Sequence, residues 1–522
     1  MWTLRAAVRL GLRPSRAPCG RRPPGPRPPP PCSARALVAF GPRGPGLEGA
    51  AGGARGPRAE GRRVRAGEEE TEEEQSDAEQ DEEEEEEEEL LLTEPLLPGG
   101  AQRVCVVHPE VKWGARSPQL TRAEWQVAEA MALVHTLDGW VVVDTVVLPT
   151  KVPDSKFVFG RGTFEQLMER IRKSPEITSV FLNVERMAPP TKKELEAAWG
   201  VEVFDRFTIV LHIFRCNART KEARLQLALA EIPLLRSNLR HGVPQLHRGG
   251  GSRYIMGSGE SFMQVQQRLL KEKEMKIKKA LEKLKKKRHL LRRQRRKREF
   301  PMISVVGYTN CGKTTLIKAL TGDAAMQPRD QLFATLDVTA HGGSLPSRLS
   351  VLYMDTIGFL SQLPHSLIGS FSATLEDVAC SDLIIHVRDV SHPETELQKA
   401  SVLSTLHSLR LPAPLLDSII EVHNKVDLVP GYSPPEPKVL AVSALLGHGL
   451  EQLKAELEDA VLRVTGRQVL TLRVRLAGAQ LSWLYQEATV QDVAVVPEDG
   501  TAHVKVIISN AAFGRFRKLF PG

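Results

Sequence analysis

Apolar positions along this chain follow two rhythms, one of short runs and one of helical period. From Arg103 onward the runs "RVCVVHPE", "WVVVDTVVL", "SVFLNV" and "RFTIVLHIF" are interleaved with the helical patterns "GTFEQLMERIRKS" and "TKKELEAAW". Strands alternating with helices predict an α/β domain over 103–215 on a largely parallel sheet, with "RFTIVLHIF" as its last strand. "WVVVDTVVL" is interrupted by Asp144 and reads as a buried strand. No stretch approaches the ~20 uninterrupted apolar residues of a spanning helix, so no integral membrane association is expected.

Two long helical patterns follow over 216–299. In "NARTKEARLQLALAEIPLLRSNL", Leu225, Leu229, Ile232, Leu235 and Leu239 share a stripe at spacings of three and four, and Pro233 is expected to kink the helix or end it early. From about Ser261 to Arg298, Met263, Leu270, Ile277, Leu284 and Leu291 recur every seven residues, and "SFMQ" offers a capping box between Ser261 and Gln264. One narrow seam on each predicts an antiparallel pair. The connecting "HGVPQLHRGGGSRYIMGSG" is longer than most links in compact domains, which marks it as functional or disordered. The last segment, 466–522, reads strand, helix, two strands turning at "EDG", then helix: a small α+β domain with Trp483 and Tyr485 in its core.

Composition and charge add organisation to this pattern. The 522 residues leave room for about three or four domains. The six cysteines contain no CxxC pair, which suggests neither a disulfide framework nor a zinc site. The net charge of +8 conceals a segregation: residues 1–67 hold fourteen arginines and only Glu48 and Glu60, and residues 68–89 hold seventeen acids and no base. The first segment, beginning "MWTLRAAVRLGLRPSRAPCGRR", has the features of a mitochondrial transit peptide and predicts the matrix. The acidic segment, with the residues up to 100, reads as a solvated linker. What remains is basic, and the second long helix carries seventeen Lys and Arg against three acids from Arg268 to Arg298. That surplus exceeds what solubility requires and suits phosphate binding. Its "KKKRHLLRRQRRKR" block also fits a nuclear localisation signal, which leaves nucleus or cytosol as the alternative address.

The chemistry sits between these helices and the last domain. "GYTNCGKTT" at 307–315 follows the β-branched "MISVV" and opens a helical segment. Gly307, Gly312, Lys313 and Thr314 fit G-x-x-x-x-G-K-[ST] in the strand-to-helix setting that the motif needs. The glycines turn backbone N–H groups toward phosphates at a helix N-terminus. Lys313 adds a point charge, and the Thr314 hydroxyl takes a place on Mg²⁺. Tyr308, Thr309, Asn310 and Cys311 complete the loop. Next comes "DTIG", Asp355, Thr356, Ile357 and Gly358: Asp355 is expected to hold the metal through water and the Gly358 amide to sense the γ-phosphate. In "NKVD", Asn424, Lys425, Val426 and Asp427, the Asp427 carboxylate can accept both N1–H and N2–H₂ of guanine, a donor pair that adenine lacks. Asn424 ties the loops, the Lys425 stem covers the base, and the amides of "SAL", Ser443, Ala444 and Leu445, close the pocket. Four such motifs in order, each after a strand, define a GTP- and GDP-binding G domain over 300–465.

Two positions qualify this site. "QLFATLDVT" offers Thr335 and Thr339 as the further metal-binding threonine, and geometry alone does not choose between them. Phe359 stands where many regulatory GTPases carry a water-orienting glutamine. No catalytic residue is assigned, and slow turnover with stimulation by a partner is expected.

"LFATLD" with "GYTNCGK" and "DTIGF" resembles the HflX family, as do "DRFTIVLHIF", "ARTKEARLQLALAEI" and the Gly-rich loop leading to "GSGES", together covering 103 to the end. The family usually carries G-P-G-E-T-Q where this chain has "GSGESF". The resemblance implies that Phe333, Ala334, Thr335, Leu336 and Asp337 belong to the nucleotide site, with Thr335 the metal ligand beside Thr314. It implies a P-loop GTPase fold and a partner in the ribosome, especially the large subunit and its rRNA. The expected action is dissociation of mitochondrial ribosomes; the alternative is a GTP-gated assembly factor for the large subunit.

Overall fold

The computed structural model describes Leu91, Leu97 and residues 100–111, 122–150, 158–242, 262–297, 300–360, 377–409, 411–434 and 436–521. The Arg-rich leader, the acidic run, most of the Gly-rich loop and Ser261 of the capping box lie outside the described residues.

The first sheet holds β1 (Gln102–Val111), β2 (Trp140–Thr150), β3 (Ser179–Leu182) and β4 (Glu202–Asp205), all parallel, in the order β2-β1-β3-β4. Helices α1 (Ala123–His135), α2 (Arg161–Lys173) and α3 (Pro189–Trp199) connect them. Central β1 and β3 are apolar because both faces are covered. Two sequence expectations fail here. "WVVVDTVVL" is an edge strand, paired only with β1, so Val141, Val143 and Val147 face outward. Asp144, on this edge, is partly exposed and accepts two bonds from Arg170 at 2.8 Å.

The second failure is "RFTIVLHIF", which forms α4 (Arg206–Asn217) rather than a strand. Eight of its residues are buried, so no helical stripe shows in its apolar pattern. What fixes it as a helix is the preceding Asp205, whose Oδ1 accepts from Thr208 N at 2.9 Å and from Thr208 Oγ1 at 2.5 Å. The fourth strand is the short "EVFD" just before it.

Helices α5 (Lys221–Gly242) and α6 (Phe262–Lys297) form the pair. Arg236 bonds Glu274 at 2.8 Å, and Glu222 pairs with Arg288. Numbers rising on one helix as they fall on the other make it antiparallel. Pro233 neither ends α5 nor sits in its seam: the helix continues past it, with the proline ring exposed. Leu225, Ala228 and Ile232 pack on Ile277 and Ala280, a burial of about 1.5–3 kcal/mol per large side chain that offsets the lost backbone bond.

The next sheet comprises β5 (Met302–Gly307), β6 (Thr339–Ser344), β7 (Ser350–Asp355), β8 (Leu383–Asp389), β9 (Ile420–Asn424) and β10 (Leu440–Ala441). Its order is β10-β9-β8-β5-β7-β6, parallel except for β6. Helices α7 (Lys313–Thr321), α8 (Thr395–Ser408), α9 (Ala413–Asp417) and α10 (Leu450–Thr465) complete this domain. The chain closes with β11 (Arg467–Arg475), α11 (Ala479–Glu487), β12 (Thr489–Val496), β13 (Thr501–Ser509) and α12 (Asn510–Leu519), whose antiparallel sheet is ordered β11-β13-β12. Trp483 packs on Phe516 and Phe520, but Tyr485 is exposed rather than in the core. No described helix is long and apolar enough to cross a membrane.

The first domain and the G domain share one core. Phe181, Phe204, Phe207 and Phe214 are continuous with Val306, Tyr308, Phe333, Ile357, Phe359 and Ile384, and Leu97, from the expected linker, is buried in the same cluster.

Candidate nucleotide site

Each motif sits where its strand ends, and the backbone requires the residues found there. Gly307 leaves no room for a side chain: a Cβ would meet Cys311 Sγ at 2.8 Å and collide with Val387 O. Gly312, at φ +92°, starts α7 in a conformation that a side chain rarely adopts, with Asn424 Nδ2 already against it. Gly358 passes so close to the phosphate loop that a Cβ would lie 2.8 Å from Thr309 Cγ2. Lys313 is buried, and its Nζ donates to Tyr308 O at 2.9 Å and Gly307 O at 3.3 Å. The loop, the α7 N-terminus and Gly358 line one cleft together with Ala334 and Thr335.

Thr314, Thr335 and Asp355 converge at the cleft's inner end. Thr314 Oγ1 and Thr335 Oγ1 stand 3.1 Å apart and reach Asp355 Oδ2 at 2.6 and 3.0 Å. Thr339 pairs with Asp355 across the β6–β7 ladder, but it is exposed and its hydroxyl stands 2.9 Å from His341 Nε2 instead of joining the cluster. Burial pushes the Asp355 carboxyl above its ordinary range, against the pull of the Thr314 bond and of Lys313. Its Oδ1 is buried with no hydrogen-bond partner among the described residues. A dehydrated carboxylate with an unmatched oxygen and two hydroxyls beside it is a hard oxygen donor set, and Mg²⁺ fits it.

At the base end, Asn424 Nδ2 donates to Cys311 O at 2.9 Å while its Oδ1 accepts from Ala444 N at 3.0 Å. One side chain thereby joins the phosphate loop to the "SAL" loop. Lys425 adopts φ +63° and its Nζ meets Asp389 Oδ2 at 2.8 Å. Val426 and Asp427 form a single tight turn, Asp427 exposed, and Ser443 Oγ accepts from Leu446 N at 3.2 Å. Ala444 is buried and Leu445 largely exposed.

Several named residues commit their side chains to the fold. Cys311, Phe333, Leu336 and Ile357 are buried in apolar clusters, and Thr356 turns its hydroxyl back to Val305 O at 2.7 Å. Tyr308 donates to Glu129 on α1, which also pairs with the buried Arg206. Asn310, at φ +60°, bonds Asp330 at 2.8 Å. Asp337 does not address the cleft; its carboxylate engages the start of α5. Phe359 is a core residue, its main chain bonded to Gly307 O and Thr309 N at 3.1 and 2.7 Å. Sequence reasoning missed Arg329 and Gln331, which line the cleft. They precede "FATLD" without belonging to a spaced motif.

Comparison with known proteins now bears on this geometry. Profiles described as "GTP-binding GTPase N-terminal", "GTP-binding GTPase Middle Region" and "50S ribosome-binding GTPase" match residues 124–215, 217–295 and 302–425. GTPase HflX of Magnetococcus marinus is 34% identical over 413 residues, covering 77% of this chain and 93% of that relative. The chain belongs to the HflX family of GTPases. Within the family, a Homo sapiens protein named "Putative GTP-binding protein 6" is 75% identical over the full length of both chains. Among solved structures, a GTP-binding protein from Sulfolobus solfataricus in complex with GDP aligns at 22% identity and TM-score 0.38, covering 69% of this chain and 99% of that one. This HflX-family chain is therefore a GTP-binding protein and a GTPase.

Proposed function

We propose that this GTPase acts on the large ribosomal subunit in the mitochondrial matrix, and that its GTP-bound form dissociates ribosomes. The observation that carries the reading is the long basic helix α6, packed on α5, with Thr220, the residue just before α5, holding Asp337 of the Thr335 segment of the nucleotide site. A polyanionic partner and the nucleotide thus address connected parts of the molecule. The "50S ribosome-binding GTPase" description of the matching profile points to the same class of partner.

Within the site, the Gly307–Gly312 amides cradle the phosphates, Lys313 moves its cation onto them, and Gly358 N–H faces the γ-phosphate. Thr314 and Thr335 would hold Mg²⁺, with Asp355 behind them, and the metal supplies charge neutralisation of the transferring phosphoryl group. Phe359 cannot orient water, so the ribosome is assigned to ordering the attacking group. Turnover is slow until it binds.

Purified intact ribosomes and, separately, immature large subunits, each mixed with the protein and either GTP or its β,γ-imido analogue and then sedimented, test this reading. Subunit separation supports it. Capture of immature large subunits without separation replaces it with an assembly role, and absence of co-sedimentation in either state removes the ribosome altogether.

A further inference from the structure

We propose that Asp337 and Asn217 are positioning residues for the Thr335 hydroxyl, tying its segment to the α4–α5 junction outside the G domain and so holding the hydroxyl in reach of the metal; the proposal rests on Thr335 being a metal ligand. The segment 333–337 is tied at both ends to the junction of α4 and α5. At one end, Asn217, the last residue of α4, donates from Nδ2 to Phe333 O at 2.9 Å. Phe333, at φ +54°, sets its ring edge-on to Phe214 with centroids 4.7 Å apart. At the other end the Asp337 carboxylate accepts from Arg219 N at 2.9 Å, Thr220 N at 3.1 Å and Thr220 Oγ1 at 2.6 Å.

Those donors stand immediately before α5, where a helix needs acceptors for its free N–H groups and favours a negative charge. Thr220 supplies one acceptor locally, to Ala223 N at 3.1 Å. Asp337 supplies the carboxylate from another domain, 117 positions along the chain from Thr220. Thr335 lies midway between the two anchors, and each residue of chain spans at most about 3.5 Å. Movement of either anchor therefore moves the hydroxyl. A metal that demands oxygens at about 2.0–2.1 Å tolerates little of that.

A carboxylate that merely stabilised the fold would affect every nucleotide state alike. A threonine of this loop engages metal and γ-phosphate in the triphosphate state and is released after hydrolysis, so a positioning residue acts selectively. The test uses the full chain and reads three quantities: GDP affinity, affinity for the β,γ-imido analogue of GTP, and the Mg²⁺ concentration that half-saturates hydrolysis. Asp337→Ala and Asn217→Ala should raise the Mg²⁺ requirement and weaken the analogue by about threefold to thirtyfold, the scale of a lost helix cap, with GDP binding unchanged. Asp337→Asn, which keeps an acceptor, should recover part of the loss. Equal weakening of GDP and analogue with an unaltered Mg²⁺ requirement overturns the proposal. Thr335→Ala serves as the reference: if it leaves the Mg²⁺ requirement unaltered, the ligand reading fails and the proposal falls with it. If it alone shifts that requirement, only the positioning role fails.

Discussion

Asp427 has neighbours that fix its loop, but among the described residues none bonds its carboxylate, which is exposed in a turn braced by Lys425 and by Val426 N to Val442 O at 3.4 Å. Its replacement should therefore act on the ligand and not on stability. Asp427→Asn removes one acceptor and sets an NH₂ against a guanine donor, so GTP and GDP affinity should fall by about tenfold to a hundredfold, from the cost of unpairing buried polar groups. Xanthine nucleotides, which carry a carbonyl where guanine carries its amino group, should gain affinity by the same logic. Calorimetry on the folded variant checks both; unchanged guanine affinity would remove the base-reading role. At this scale the sequence was informative wherever spacing is dictated by phosphate geometry, as at Gly312, Lys313 and Thr314. It placed Tyr308 and Asp337 in the nucleotide site and missed their side-chain partners Glu129 and Thr220, which are set by contacts between domains.

Among the elements, α4 is the instructive case. Its apolar run carries no period because nearly every side chain is buried, so pattern alone cannot separate helix from strand. The deciding signal was a single cap. Asp205 also accepts from Met187 N at 2.8 Å. Asp205→Ala should lower unfolding free energy by about 2–3 kcal/mol, combining a lost cap with an unpaired N–H, read from the denaturant midpoint. The edge position of β2 was likewise illegible, because strand order is a tertiary property. Strand β8 gives a prediction in pH. Burial pulls the His386 imidazole down from 6.5 to about 4, so the folded chain resists a proton that the unfolded chain accepts. Its contribution is complete above about pH 6.5 and is lost as pH falls from there toward about 4, amounting to about 3 kcal/mol. Burial pulls His108 and His212 in the same direction. His386→Gln should flatten the slope of stability against pH between 7 and 5, whatever its effect at pH 7; an unaltered slope would show that other groups carry it.

For the whole molecule the decisive fact is continuity. The first domain shares its core with the phosphate loop, and α5 packs on the basic helix α6 while Thr220, immediately before it, holds Asp337 of the Thr335 segment. Arg288 of α6 further reaches Asp377 of the G domain at 3.6 Å as well as Glu222 of α5. If RNA grips α6, as proposed, it pulls on elements that also bear on the metal site, and by linkage any effect of its binding on that of GTP is returned equally. The grip itself is testable. Lys276, Lys279, Lys283 and Lys286 are exposed and recur at spacings of three and four on one face of α6, away from Ile277 and Ala280 in the seam. Changing all four to Gln leaves the seam and the cleft intact, so nucleotide affinity of the isolated protein should not move. Each lost phosphate contact should lower the slope of log affinity against log salt by about 0.7–0.9, a total of about 3 if all four contact RNA. Large-subunit binding measured from low to moderate salt with the GTP analogue reads this directly. A flatter slope with intact nucleotide binding places the ribosomal contact on this face, whereas the wild-type slope would assign it to another surface and leave α6 a solvated helix.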